Sequence, residues 1–164
     1  MAQRKIPPAD PFQMFKHAAR FVETDEYLRT RAIGSGIETS MAVATMLLGA
    51  FAIELLLKTL LILENREPPA THRLNILFRQ VGHKRRRRII EAWETQARPR
   101  LKQFTAEGVP TDLPNALVHC GDAFDRLRYP YEEPRGTTFY VGGLGRILLE
   151  EIATERPEWI IWKD

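Results

Sequence analysis

The chain has 164 residues, enough for one domain with a proper hydrophobic core. Its single cysteine, Cys120, excludes an internal disulfide, so we expect a cytoplasmic protein. The formal net charge of +3 arises from 24 basic and 21 acidic residues, and five of the basic ones stand together at 84–88. The positive charge is therefore local, which indicates a local site for a polyanion rather than a basic protein throughout.

The N-terminal segment predicts a helix that opens at Asp10, a good N-cap, with Pro11 in the first helical position. Its apolar residues repeat at helical spacing: Phe12, Phe15, Ala19 and Val22. We expect this helix to fray between Thr24 and Arg31, before a glycine-containing break at 33–36.

Residues 40–65 form the most apolar run of the chain and predict a helix at the centre of a bundle. Four polar residues interrupt the run: Thr45, Glu54, Lys58 and Thr59. The run is long enough to cross a bilayer, but Glu54 and Lys58 would each cost about 2.5–3.5 kcal/mol inside the hydrocarbon. We therefore predict a buried helix and no membrane span.

Two helices are predicted between residues 71 and 99. The first is short, with Thr71 as its cap and Gly82 as its stop. Its apolar positions are Leu74, Leu77, Phe78 and Val81. The second helix starts near Lys84 and ends or kinks at Pro99. Its core-facing positions are Ile89, Ile90, Trp93 and Ala97.

The most regular apolar stripe in the chain predicts a late helix that starts at the cap Asp112. The stripe consists of Leu113, Leu117, Cys120, Phe124 and Leu127. At 3.6 residues per turn Arg126 lies on the opposite face, whereas Arg128 lies beside the stripe and can reach the rim of the core. Residues 136–145 predict a short irregular or hairpin-like segment, and a last helix runs from about Leu144 to Glu155.

These elements predict an all-α protein, a single domain over residues 1–164. The expected architecture is an up-and-down bundle of four to six helices around residues 40–65. The histidines show no metal-ligand spacing, and Gly142–Gly145 lacks the spacing and the lysine of a phosphate loop. We therefore predict neither a metal nor another cofactor.

Glu54 and Lys58 stand four residues apart in the favourable order for a helical ion pair. Because their neighbours are Leu and Ile, the carboxylate is expected to be buried and to need a further cation from another helix. Arg128 is the best-placed residue for that role. The alternative is a purely structural ion pair.

The basic run extends over more than one helical turn, so part of it must face solvent. As a nucleic-acid-binding patch it consists of Lys84, Arg85, Arg86, Arg87 and Arg88. Such a patch gives affinity that is salt-dependent and independent of base sequence, and no aromatic residue is interleaved to stack on bases. Two alternatives remain open: a solvated helix start, and a surface for a membrane or an acidic protein.

Three motifs carry a resemblance to a known family. Ala52–Leu60 reads alanine, then Glu, three aliphatic residues and Lys. His72–Phe78 opens the next helix with a histidine followed by leucines, and Phe124–Glu132 ends in an Arg-Tyr-x-Tyr-Glu pattern. In this order, over residues 40–132, the chain resembles the HEPN superfamily, which leaves residues 136–164 as a C-terminal extension.

The resemblance implies an all-α bundle, often a homodimer, in a superfamily associated with RNA cleavage, toxin–antitoxin modules and phage defence. Ribonucleases of the superfamily carry an Arg followed after four to six residues by a His on a late helix. Neither Arg126 nor Arg128 has such a histidine.

The function implied is binding of RNA or a nucleotide, with a diverged endoribonuclease as one form of it and a nucleotidyltransferase-type antitoxin as an expected partner. A non-catalytic helical dimerisation or adaptor module is the alternative. In an enzyme, His72 would act as acid or base and Arg128 would stabilise the phosphate. The supporting polar residues would be Glu54, Lys58, Tyr129 and Glu132.

Overall fold

The computed structural model describes residues 10–32, 36, 38–101, 108–127, 129 and 141–162. All regular structure in these residues is helical, which confirms the predicted all-α class. The helices are α1 (Pro11–Ala32), α2 (Glu38–Leu63), α3 (Leu74–Gln80), α4 (His83–Ala92), α5 (Leu113–His119), α6 (Ala123–Leu127) and α7 (Leu144–Glu155). A π-helical turn at Trp93–Ala97 continues α4, and a 3-10 segment at Pro157–Trp162 follows α7. Of the predicted irregular or hairpin-like segment at 136–145, residues 136–140 lie outside the described residues, whereas 142–143 form a turn and 144–145 already belong to α7.

Helix α1 begins as predicted, because the Asp10 carboxylate accepts a hydrogen bond from the backbone N–H of Phe12 at 2.9 Å. The expected fraying between Thr24 and Arg31 is wrong, since α1 continues to Ala32. Within that segment the Asp25 carboxylate accepts both of its hydrogen bonds from Nε of Arg29, each at 2.9 Å. This i,i+4 ion pair stabilises the last turns of the helix.

Helix α2 contacts α1 along much of its length and also packs against α3, α6 and α7. Its second half lies in the core, where six residues are at most 1% exposed: Ala52, Ile53, Leu56, Leu57, Leu60 and Leu61. Its first half is less covered, and Val43 is 36% exposed. The apolar run therefore serves as a core helix only from about Ala50 onward.

By length and composition α2 could also cross a membrane, with a mean hydropathy of 2.2 over Met41–Leu63. Half of that segment is buried inside the protein. A single helix of this kind is weak support for a span, because the core helices of soluble proteins have the same properties.

Two connections, one before α3 and one after it, link α2 to α4. Helix α3 begins at Leu74, three residues later than its predicted cap Thr71, whose hydroxyl accepts from the Arg73 N–H at 3.1 Å. Gly82 separates α3 from α4, and its N–H donates to the Glu64 carboxylate at 2.9 Å. A Cβ at this position would lie 2.9 Å from Oε1 of Glu64, so a larger residue would make the Glu64 carboxylate shift.

The single late helix predicted from Asp112 to Leu127 is wrong, because it is interrupted between α5 and α6. Its cap is confirmed, since the Asp112 carboxylate accepts from the Asn115 N–H at 3.1 Å. The interruption lies at Gly121, whose carbonyl accepts instead from the N–H of Leu74 at the start of α3, at 3.0 Å. A long-range contact therefore takes the carbonyl that a continuous helix would use.

Helix α7 has the predicted bounds and turns its apolar side to the core. Its buried residues are Leu144, Ile147, Leu148, Leu149 and Ile152. At its start Gly145 lies against α1, where a Cβ would be 2.8 Å from Cγ2 of Val22.

The predicted core positions Trp93 and Ala97 are also buried, and the Trp93 indole N–H donates to the Thr111 carbonyl at 2.8 Å.

Candidate functional site

A buried carboxylate on α2 is the centre of the first polar cluster. Glu54 is 2% exposed, and its Oε1 accepts from Nζ of Lys58 at 2.7 Å. Nδ1 of His72 lies 3.0 Å from both carboxylate oxygens. Lys58 comes from the next turn of the same helix, whereas His72 comes from the segment that leads into α3. We call Glu54, Lys58 and His72 the carboxylate cluster.

The carboxylate determines which nitrogen of His72 can accept a proton. With Nδ1 at hydrogen-bond distance from a carboxylate, the neutral imidazole carries its proton on Nδ1 and donates it to Glu54. Nε2 is then the basic nitrogen of the ring. Because the His72 side chain is 49% exposed while Glu54 is buried, the cluster joins a fixed anion inside the protein to an imidazole at its surface.

The structure brings together three of the residues that the sequence singles out, and the Glu54–Lys58 ion pair is confirmed. Arg128 and Glu132, predicted as phosphate-stabilising and supporting residues, lie outside the described residues. Tyr129 is described and is 45% exposed. A second side chain does reach Glu54 from another segment, namely the imidazole of His72, 18 residues along the chain.

The basic run at 84–88 is divided between two sides of α4. Arg85 is only 13% exposed, with Nε 3.4 Å from Glu151 and Nη1 3.5 Å from Glu64, and it also pairs with Glu155. Arg88 pairs with Glu151, at 3.2 Å from Nε. Two of the five predicted nucleic-acid-binding residues therefore tie α4 to the end of α2 and to α7.

The other side of α4 lines a cavity of about 420 Å³ between α3, α4 and α5. We call it the basic groove, and its basic residues are Arg79, His83, Arg86 and Arg87. Sequence reasoning included Arg86 and Arg87 but missed Arg79 and His83. Helical spacing is the signal that could have found His83, because residues 83, 86, 87 and 90 follow the pattern i, i+3, i+4, i+7. Lys84 is exposed and does not line the groove.

A second cavity of about 440 Å³ lies between α1, α2 and α7. Asp25 lines it, and burial raises the pKa of this carboxyl, although the hydrogen bond and the charge of Arg29 oppose the rise. Glu26 and Arg146 pair across the same cavity, with Arg146 Nε at 3.1 Å from Oε1. Neither cavity is lined by a residue of the carboxylate cluster.

Among the described residues, no three His, Cys, Asp or Glu side chains are grouped as metal ligands. No family model matches the chain, and neither a curated protein nor a solved structure is significantly similar to it.

Proposed function

We propose that this chain is a HEPN-like cytoplasmic domain that binds RNA or a nucleotide and cleaves bound RNA at His72, as a diverged endoribonuclease of a toxin–antitoxin or defence module. The observation that carries the proposal is the contact between Nδ1 of His72 and the buried Glu54 carboxylate, at 3.0 Å. A carboxylate that orients an imidazole is a recurrent arrangement of general acid–base catalysis.

The cleavage requires only groups that the chain and the RNA supply. Nε2 of His72 accepts the proton of a ribose 2′-hydroxyl, and the 2′-oxygen attacks the adjacent phosphorus. The bond from phosphorus to the 5′-oxygen breaks, and that oxygen takes a proton from the imidazolium. The products are a 2′,3′-cyclic phosphate and a 5′-hydroxyl end. Glu54 orients and stabilises the imidazolium, and Lys58 pairs with the same carboxylate.

A cleavage assay with matched histidine variants tests the proposal. Purified wild type, His72→Ala and His17→Ala are incubated with end-labelled mixed RNA in EDTA, and the cyclic-phosphate products are counted. His17 is an exposed histidine on α1 and serves as the control. Loss of a general acid–base is expected to slow cleavage about 10²-fold or more in His72→Ala alone.

Two results would reject the catalytic role. One is equal cleavage by His72→Ala and wild type, and the other is the absence of cleavage by wild type. RNA binding is measured on the same samples by fluorescence anisotropy. Absence of RNA binding by wild type would reject the RNA-binding role as well.

A second function is favoured by the first half of α2, which is apolar and incompletely covered by the described residues. Val43 and Ala44 are exposed, and the partly buried Leu48 lies near them on the helix. We propose that a second copy of the chain covers this face, which makes the protein a helical dimerisation or adaptor module. An apolar strip of this kind gains free energy when it leaves water.

Light scattering during size-exclusion chromatography tests the dimer. Wild type is expected to be dimeric and Val43→Glu monomeric. Val118→Glu places the same charge at another exposed valine, 53% exposed on α5, and is expected to stay dimeric. A monomeric wild type, or a dimer unaffected by Val43→Glu, would reject the adaptor function.

A further inference from the structure

The basic groove concentrates positive charge without an equal negative charge. Arg79, His83, Arg86 and Arg87 line it, and no Asp or Glu is among the described lining residues. Arg87 has a partner in Glu91 at 3.5 Å, but the two side chains are 71% and 66% exposed. Solvent screens such a pair strongly, so it neutralises little of the charge in the groove.

Arg86, which lines the groove, has a covered nitrogen that lacks a hydrogen-bond acceptor among the described residues. Its Nε is covered by protein, and within the described part of the chain this atom has no hydrogen-bond acceptor. The neighbouring Arg85 is similarly covered but is compensated by three carboxylates, Glu64, Glu151 and Glu155. A covered guanidinium N–H without an acceptor is unfavourable, and an anion that enters the groove could accept from it.

The groove also has an apolar side. Ile90 and Leu117 line it together with Val118, which is 53% exposed. Its volume of about 420 Å³ falls within the range of roughly 300–1,000 Å³ that is usual for small-molecule sites. That size suits one nucleotide rather than several, with the anionic end on the arginines and a flat ring against Ile90 and Val118.

We propose that the basic groove binds one nucleotide through its terminal phosphate monoester, with the guanidinium groups of Arg79 and Arg86 on the phosphate. Guanidinium forks match phosphate oxygens, and a dianionic monoester offers more charge to them than a phosphodiester. The inference rests on the proposed binding of RNA or a nucleotide and identifies the part of the ligand that is recognised. The phosphate can belong to a free nucleoside monophosphate or to the 5′ end of an RNA.

Binding is measured by titration calorimetry with four ligands: adenosine monophosphate, inorganic phosphate, and a short RNA with either a 5′-phosphate or a 5′-hydroxyl. The 5′-phosphate RNA is expected to bind about tenfold or more tightly than the 5′-hydroxyl RNA. Arg86→Gln and Arg79→Gln are each expected to remove that difference. Lys84→Gln is the control, because it removes one positive charge from the same helix without changing the groove.

The outcomes separate clearly. Saturable binding of adenosine monophosphate that is lost in Arg86→Gln assigns the groove to a free nucleotide, and a 5′-phosphate preference without such binding assigns it to an RNA end. Equal affinity for the two RNAs together with no binding of adenosine monophosphate overturns the proposal. An equal loss in Lys84→Gln also overturns it, because affinity would then follow net charge alone. Arg79 is exposed, so Arg79→Gln reports on the groove even if Arg86→Gln fails to fold.

Failure here is distinguishable from failure of the catalytic proposal. His72→Ala is expected to abolish cleavage and keep the preference for a 5′-phosphate. Arg86→Gln is expected to abolish that preference and keep the imidazole chemistry. Cleavage that survives without any phosphate preference would overturn the groove proposal alone.

Discussion

Two buried carboxylates on neighbouring helices, Glu54 and Asp25, differ in the side chains that contact them. Glu54 has Lys58 at 2.7 Å and His72 at 3.0 Å. Among the described ion pairs Asp25 has Arg29 alone, at 2.9 Å. Burial raises the pKa of this carboxyl by more than Arg29 lowers it. Burial therefore disfavours the anionic form of Asp25, because one arginine does not offset the loss of solvation.

The raised pKa of Asp25 predicts a specific pH dependence of stability. In the folded chain this carboxyl holds its proton more tightly than in the unfolded chain, so the free energy of unfolding falls as the pH rises from about 4 through the raised folded-state pKa. Asp25→Asn removes this titration. The stability of Asp25→Asn relative to wild type is therefore expected to increase with pH across that window.

Urea unfolding of both proteins at several pH values between about 4 and about 7 measures this difference. The other titrating groups are common to both chains, so they cancel in the comparison. A difference in the free energy of unfolding that stays constant with pH would contradict the assignment.

At the residue scale, local spacing predicted one contact of the carboxylate cluster and not the other. Glu54 and Lys58 are four residues apart, and a helix brings such residues together whatever surrounds it. The contact of Glu54 with His72 depends on the path of the chain from the end of α2 to the start of α3. No periodicity specifies that path, so helical spacing did not predict the contact with His72, and the expected contact with Arg128 stays a prediction because residue 128 lies outside the described residues.

The geometry of α4 explains why the basic run is divided between two sides of the helix. Arg85 and Arg88 are three residues apart and share the side that faces α7, whereas Arg86 and Arg87 share the side of the groove. Ile89 is buried, and its position fixes the rotation of the helix. The sequence established that part of the run faces solvent. It did not show which part, because the carboxylates of α7 that pair with the run lie more than 60 residues further along the chain.

Substitution of Arg85 is expected to destabilise the fold. Arg85→Met leaves Glu64, Glu151 and Glu155 close together without this cation, at a cost of about 1–3 kcal/mol. Arg87→Met is the control in the same helix. Its only described ion pair is highly exposed, so its effect is expected to stay within about 0.5 kcal/mol.

Urea denaturation of the two variants and wild type gives both values. Equal effects of Arg85→Met and Arg87→Met would show that the contacts of Arg85 with α2 and α7 contribute nothing to stability. The assignment of Arg85 to a structural role would then be wrong.

The break between α5 and α6 shows why the late helix was predicted too long. A helical wheel treats a segment in isolation, and the spacing of Leu113, Leu117 and Cys120 does follow one face, with all three buried. At Gly121 a Cβ would lie 2.8 Å from Oδ1 of Asn75 on α3. The neighbouring helix therefore favours a residue without a side chain at 121, and the apolar stripe gives no sign of this contact.

At the scale of the whole molecule, α7 completes the core by packing against helices from the first half of the chain. It packs on α1 and α2, and its acidic side holds α4. Periodicity predicted the bounds of α7 and the all-α class, because both follow from local pattern. Which helices become neighbours depends on contacts between distant segments, such as Gly145 with Val22.

The approach of α7 to α1 predicts a coupling between those two residues. Gly145→Ala would place a Cβ 2.8 Å from Cγ2 of Val22, and a β-branched side chain in a helix has little rotameric freedom to move away. We expect a loss of about 1–3 kcal/mol in the free energy of unfolding. In the Val22→Ala background the same substitution is expected to be neutral or stabilising, because alanine favours the helix over glycine.

A double-mutant cycle measured by urea unfolding tests this coupling. Gly36→Ala is not a suitable control because the φ of Gly36 is positive, so Gly49→Ala is used, where the added Cβ meets Asp25 at an ordinary 3.6 Å. Additive effects of Gly145→Ala and Val22→Ala would contradict the close packing of α1 and α7.

The π-helical turn at Trp93–Ala97 has a consequence for changes in chain length. Its wide hydrogen-bonded ring holds one residue more than an α-helical turn does. Removal of one exposed residue, such as Thr95, would return this turn to α-helix while Trp93 keeps its place in the core. In the middle of α2 or α7 the same deletion would rotate all later side chains by about 100°. The segment after α4 is thus a position where we expect this fold to accept a chain shorter by one residue.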